Sequence, residues 1–300
     1  MPERPSPRRR RGRRLPFPHL PDGPVRTSTG VVELLRDPSR PSAVTVFIND
    51  AESSYVDLAD PSYLEFEYMQ QMTVVLDEAG FPAPRPLRAV HLGGAGCALA
   101  RALDAQRPGS TQLVVEIDAE LARLSRIWFD LPRSPRLRIR VADARAALGT
   151  LTPGAWDVVV RDVFAGIQVP GHVRTVETAQ EARRALTPDG LYLVNLTDRP
   201  PLTVARTEVA TLREVFPHVS LIADPAILRG RRYGNVVLVG SAAPIATPAL
   251  ERALRGLPLP VRLVAGEELE AFAGTHRPTY DPAPVGPVGP VGSPDPAATG

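Results

Sequence analysis

A chain of 300 residues, 43% of them hydrophobic and 5% aromatic, can bury a sizeable core filled mainly by Val, Leu, Ile and Ala. The net charge of +2 is uneven: residues 1–14 hold seven Arg and one Glu, which leaves 28 Arg against 32 acids elsewhere. A mildly acidic body makes nucleic acid an unexpected partner. The one cysteine, Cys97, excludes an intramolecular disulfide, and no apolar run approaches the roughly 18 residues of a membrane helix. Pro-rich sequence, not an apolar run, follows the N-terminal arginines, so no cleaved signal is expected and the expected compartment is cytoplasmic.

In chain order, residues 1–28 read as a disordered Arg/Pro-rich arm, solvated along its RRRRGRR run. Residues 29–80 read as a small β region plus a helix. The runs VVELL, AVTVFIND and SSYVDL are β-type, with turns at Asp37-Pro38 and Asn49-Asp50. Tyr63 to Ala79 carries Leu64, Met72, Val75, Leu76 and Ala79 near helical spacing, and Gly80 stops it. Residues 81–245 alternate. Strands are expected at 87–92, 111–117, 136–141, 156–163 and 190–196, with helices at 119–131, 175–187 and 201–216. The strands are apolar throughout, as in a parallel sheet covered on both faces, so the class is α/β, doubly wound. VSLIAD and NVVLVGS follow with too little chain between them for a parallel crossover, which predicts a reversed last strand. That is the pattern of S-adenosylmethionine-dependent methyltransferase folds. Residues 246–277 suggest a helix–strand appendage. Residues 278–300, with repeated Val-Gly-Pro, suggest a disordered tail.

The chemistry concentrates after Leu87. A strand runs into Gly93, Gly94 and Gly96, a helix follows, and the next strand carries Glu116 before Asp118. Strand, glycine turn, helix, strand and acid describe a nucleotide- or nucleoside-binding βαβ unit. Glu116 in an apolar strand suggests a grip on ribose hydroxyls or an arginine partner. Asp118 suits a helix N-cap better than a ligand contact. Asp143 suits a cap, a contact to an adenine amino group, or both. Asp162 ends another strand. All these acids fall at carboxyl ends of parallel strands, where open α/β sheets bind ligands. Cys97 has no base beside it, His91, His172 and His218 lack metal-ligand spacing, and neither a G-x-S-x-G motif nor a P-loop is present. No metal is expected.

HLGGAGCALARAL, VVEID, VADA and WDVVVRDVFAG, in this order and spacing, resemble the spermidine synthase family of polyamine aminopropyltransferases over about residues 45–240. The resemblance implies that Gly93, Gly94 and Gly96 underlie a nucleoside, that Glu116 and Asp118 lie at the ribose, and that Asp143 and Ala144 lie at the adenine. It implies that Asp162 orients and deprotonates an attacking amine. The donor would be decarboxylated S-adenosylmethionine, the acceptor an amine, and the chain a possible homodimer. Three departures stand out. Gly96 takes the place of an aspartate that grips the donor's ammonium. Ala165 replaces a second acceptor-site aspartate. The gate Tyr is Tyr63, with Glu65, or Tyr68. The expectation is therefore an aminopropyltransferase with an altered amine site. The alternatives are a methyltransferase using S-adenosylmethionine itself and a non-catalytic nucleoside- or polyamine-binding relative.

Overall fold

The computed structural model describes residues 19–94 and 96–283. β-Branched residues fit a pleated, half-buried surface. The first such runs form β1 (Val25–Arg26), β2 (Val31–Arg36), β3 (Ala43–Ile48) and β4 (Ala51–Asp57), an antiparallel sheet in that order. Asn49 and Asp50, at φ 49° and 63°, make the two-residue turn from β3 to β4. Helix α1 (Glu67–Glu78) starts four residues later than its apolar spacing predicts, since Phe66 stays extended as its N-cap.

The alternating segment gives β5 (Arg88–Leu92), α2 (Ala98–Gln106), β6 (Thr111–Glu116), α3 (Ala119–Trp128), β7 (Leu137–Val141), α4 (Ala144–Gly149) and β8 (Trp156–Arg161). A 3-10 turn, Gly171–Val173, precedes α5 (Val176–Ala185), β9 (Leu186–Asp198), α6 (Thr203–Arg213), β10 (His218–Ala223), α7 (Pro225–Leu228) and β11 (Gly234–Ser241). The chain continues through α8 (Pro248–Arg255), β12 (Arg262–Ala265) and α9 (Gly266–Ala273). The eight strands from β5 to β12 form one sheet, in the order β12-β10-β11-β9-β8-β5-β6-β7. Strands β7, β6, β5, β8 and β9 are parallel, and β11 is antiparallel to both β9 and β10. This is the doubly wound, methyltransferase-like sheet with its reversed strand, preceded by the small antiparallel sheet. From β5 the chain winds outward to β7 and then returns to β8 on the other side. That reversal opens a crevice at the carboxyl ends of β5 and β8.

Each face of the large sheet is covered. Helices α1, α2, α3 and α8 and the small sheet pack on one face, around Met72, Leu103, Leu121, Val160 and Leu250. Helices α4, α5, α6 and α9 cover the other, where Ala179, Ala182 and Ala185 let α5 lie close to the sheet. Among the described residues no helix is long and apolar enough to cross a membrane.

Four expectations need correction. Residues 19–28, assigned to the disordered arm, are held: Leu20 is buried, the His19 ring bonds the Trp128 carbonyl at 3.1 Å, and β1 pairs with β2. The edge of β2 and the last turn of α3 offer hydrogen bonds that composition does not reveal. Residues 1–18 lie outside the described residues. The tail expected from 278 is also ordered at its start. The Val176 N–H donates to the Thr279 carbonyl (2.8 Å) and the Thr279 N–H to Thr211 Oγ1 (3.0 Å); residues 284–300 lie outside the described residues. Strand β9 begins at Leu186 instead of 190, because a register shift opposite Trp156 and Val158 takes up Pro188-Asp189-Gly190 as a bulge. The appendage over 246–277 is continuous with the domain, since β12 pairs with β10.

Candidate active site

The glycine turn is shaped by its neighbours. Gly93 donates its N–H to the Val115 carbonyl at 2.9 Å, and Asp162 donates its own to the Leu92 carbonyl at 2.9 Å. Gly93 sits at φ +90°, and a Cβ there would stand 2.0 Å from the Asp162 carbonyl oxygen. Only glycine lets β5 and β8 close at this point. The turn then folds back, with the Cys97 N–H on the Gly94 carbonyl (2.7 Å), and α2 begins. Burial, reinforced by the Glu116 charge, pushes the Cys97 thiol up to about 12. Such a thiol is not a nucleophile at neutral pH.

Glu116 is 9% exposed at the end of β6. Its Oε2 accepts from the Gly94 N–H (3.1 Å) and its Oε1 from the Asp118 N–H (2.9 Å). The carboxylate therefore lies against the glycine turn. Asp118 is spent otherwise. It caps α3 through the Leu121 N–H (2.8 Å) and takes the Ser28 N–H, the Thr29 N–H and the Thr29 hydroxyl at 3.0, 2.8 and 2.6 Å. Burial opposes its charge, but these donors outweigh burial and hold it below the usual carboxylate range. Asp118 is thus the cap that its place before α3 suggested, and also an anchor for the residues leading into β2. Asp143 caps α4 through the Ala146 N–H (3.0 Å), and its other oxygen meets His172 Nε2 at 2.9 Å. Burial raises its pKa less than these bonds lower it. Ala144 is buried as the first residue of α4.

Across the crevice, Asp162 follows the last residue of β8. Its Oδ2 accepts from the Tyr68 hydroxyl (2.8 Å) and its Oδ1 from Asn195 Nδ2 (2.8 Å). Asn195 Oδ1 in turn accepts from Asn235 Nδ2 at 3.0 Å. Burial raises the Asp162 pKa above its ordinary value, and the Asn195 and Tyr68 bonds offset only part of that. Burial, then the Asp162 charge, pushes the Tyr68 phenol well up, so it remains a donor. A carboxyl group poised to take a proton, aimed by two neutral donors, suits a general base.

Glu116 and Asp162 thus flank the turn at Gly93 and Gly94, and Asp143 stands one strand beyond Glu116. A cavity of about 30 Å³ beneath the turn touches Gly93, Gly94, Asp162, Met69 and His91. Tyr63 and Glu65 do not reach Asp162. They bond each other at 2.5 Å, and the Tyr63 ring lies under the Arg40 guanidinium, 3.7 Å from its centre. Of the two gate possibilities, Tyr68 is the one on the crevice. Among the described residues no group of three or more His, Cys, Asp or Glu gathers to hold a metal.

No protein-family model matches the chain. A probable spermidine synthase from Corynebacterium glutamicum matches it in structure over 87% of this chain and 96% of its own, at 39% identity and a TM-score of 0.81. The chain belongs to the spermidine synthase family. The polyamine aminopropyltransferase of Chromobacterium violaceum is 27% identical over 145 residues, 47% of this chain and 53% of that one. The human eEF1A lysine and N-terminal methyltransferase is 28% identical over 174 residues, 53% and 24% of the two chains. The match thus spans about half of the first relative and a quarter of the second.

Within this family frame, several residues of the crevice carry no sequence signal. Asn195 and Asn235 sit in apolar strands without a motif around them. Their only hint is a polar side chain on the face that also presents Leu193 and Val237. His172 was visible only as a histidine without metal spacing. Ser54 could not have been placed at all: a Cβ on Gly96 would lie 2.7 Å from Ser54 Oγ and 3.0 Å from Val56 Cγ2. Strand β4 fills the space where a longer residue at 96 would extend.

Proposed function

We propose that the chain transfers an aminopropyl group from decarboxylated S-adenosylmethionine to an amine whose site differs from that of a typical diamine acceptor. The sulfonium activates its neighbouring methylene carbon. The acceptor amine is protonated at neutral pH and must lose a proton before it attacks. Asp162 takes that proton, a nitrogen–carbon bond forms as the carbon–sulfur bond breaks, and methylthioadenosine leaves. Glu116 at the glycine turn and Asp143 at the start of α4 hold the nucleoside, which fixes the methylene carbon before the amine. The reading rests above all on Asp162, aimed by Tyr68 and Asn195 directly across the turn from Glu116.

The amine half is reduced in charge. Position 96 is a glycine with β4 packed against it, and Ala165 is tied by its N–H to the Gln168 carbonyl at 2.8 Å. An ammonium buried without a counter-charge costs several kcal/mol. One carboxylate, Asp162, therefore favours an acceptor whose only ammonium is the reacting nitrogen itself and whose remainder is apolar. The same loss of carboxylates gives a second reading some support, methyl transfer from S-adenosylmethionine, and methyltransferases stand among the relatives.

The test is a mass-spectrometric product assay with the decarboxylated and ordinary donors against mono-, di- and polyamines. Aminopropylated monoamine is the expected product, and Asp162→Asn should abolish it while methylthioadenosine still binds. A methylated product from the ordinary donor would replace this reading with the second. Nucleoside binding with no product from either donor would mark a non-catalytic relative.

A further inference from the structure

Asp143 meets His172 through two side chains that are 37% and 52% exposed, so packing alone does not fix the contact. A relay behind them does. The His172 carbonyl accepts from Thr178 Oγ1 at 2.9 Å, and Thr178 Oγ1 accepts from Arg145 Nη1 at 2.5 Å. Arg145 Nη2 reaches Asp281 Oδ2 at 3.1 Å, and the Asp281 N–H donates to Glu177 Oε2 at 2.8 Å. Arg145 lies two residues beyond Asp143 in the first turn of α4, so Asp143, His172, Thr178 and Arg145 close into a ring with Asp281 as its outer brace. Asp281 comes from the C-terminal segment, which runs past α9 and is bonded to α5 and α6 through Thr279.

We propose that this C-terminal segment is part of the nucleoside site, and that Arg145 and Asp281 are positioning residues that set the face Asp143 turns to the base. The proposal rests on the adenine role given to Asp143 above. Asp143 has one oxygen committed to capping α4, and the other is shared with His172. The oxygen shared with His172 is the one assigned to accept from a 6-amino group, and its direction depends on His172 staying in place. Without Asp281, Arg145 loses its outer partner, Thr178 loses a fixed donor, and the hydroxyl that holds the His172 carbonyl is steadied only by Thr175 Oγ1 at 3.1 Å.

The measurement is calorimetric binding of 5′-methylthioadenosine and 5′-methylthioinosine to the full chain. The two ligands differ in the 6-amino donor that Asp143 would read. The parent should prefer the adenosine. Arg145→Met and Asp281→Asn should each lower that preference roughly three- to tenfold, the worth of about one hydrogen bond, and the double variant should lose little more than Arg145→Met alone. A general loosening of the fold would weaken both ligands equally and leave the ratio intact. If both variants keep the parental ratio, the positioning role is refuted while the nucleoside reading stands. If the parent binds neither ligand, the nucleoside reading falls and this inference falls with it.

Discussion

At the scale of single residues, the crevice sets two opposing influences on one carboxylate. Burial favours neutral Asp162, and the hydrogen bonds from Asn195 and Tyr68 favour its charged form. Tyr68→Phe removes one of those donors and nothing else. Asp162 should then hold its proton to still higher pH, and the acid limb of the kcat/KM profile should move upward by up to about one pH unit. Were Tyr68 only a steric guide, the phenylalanine ring would serve as well, and neither kcat nor the limb would move. The sequence singled out Glu116 because a charge in an apolar strand is costly without a partner, and Asp162 because it too ends a parallel strand. Tyr68 was not separable from Tyr63, because the start of α1 depends on Phe66 staying extended, which apolar spacing does not encode. Asn195 was illegible for a different reason. Its partners, Asp162 and Asn235, are distant in sequence and meet only through strand order.

At the scale of elements, the apolar runs foretold the sheet well, and the failures lie where backbone groups are shared between elements. The segment leading into β2 looked unstructured by composition, yet its amides at Ser28 and Thr29 are taken by the N-cap of α3. Asp118 therefore serves two elements at once. Asp118→Ala should cost about 2–4 kcal/mol, the sum of a lost cap and of charge-assisted bonds to the turn. The pH dependence has a definite sign. The folded state holds Asp118 below the unfolded value, so its contribution is complete above the ordinary carboxylate range and is lost as pH falls through and below it. Urea unfolding of parent and variant should show a wide gap at pH 7 that narrows at pH 3. A gap equally wide at both would mean that the carboxylate charge is not what anchors the turn.

At the scale of the whole molecule, the crevice is braced from the far face of the sheet. Arg161 precedes Asp162 on β8 and points the other way, into the layer of α5 and α6. Its guanidinium meets Glu208 of α6 at 3.1 Å with both side chains 1% exposed, and it donates to the Val173 carbonyl at 2.8 Å. Glu208 also takes Arg174 Nε at 2.7 Å. One buried carboxylate thus joins β8, α6 and the turn that carries His172. Burial lowers the Arg161 pKa, but the Glu208 charge more than compensates and the net shift is upward. Glu208→Gln leaves Arg161 buried without its counter-charge and should cost about 3–5 kcal/mol. Replacing both, as Arg161→Met with Glu208→Leu, removes the desolvation cost together with the attraction and should cost clearly less than the single change. Chemical unfolding of the two variants decides between this account and one in which Glu208 merely fills space, for then the double variant would be the worse. Hydrogen exchange gives the functional half of the prediction. In Glu208→Gln the Val173 and Arg174 amides, which close the turn on the Pro170 and Gly171 carbonyls, should exchange faster than in the parent. The turn that places His172 against Asp143 would then be loosened by a change in the ion pair packed beneath it.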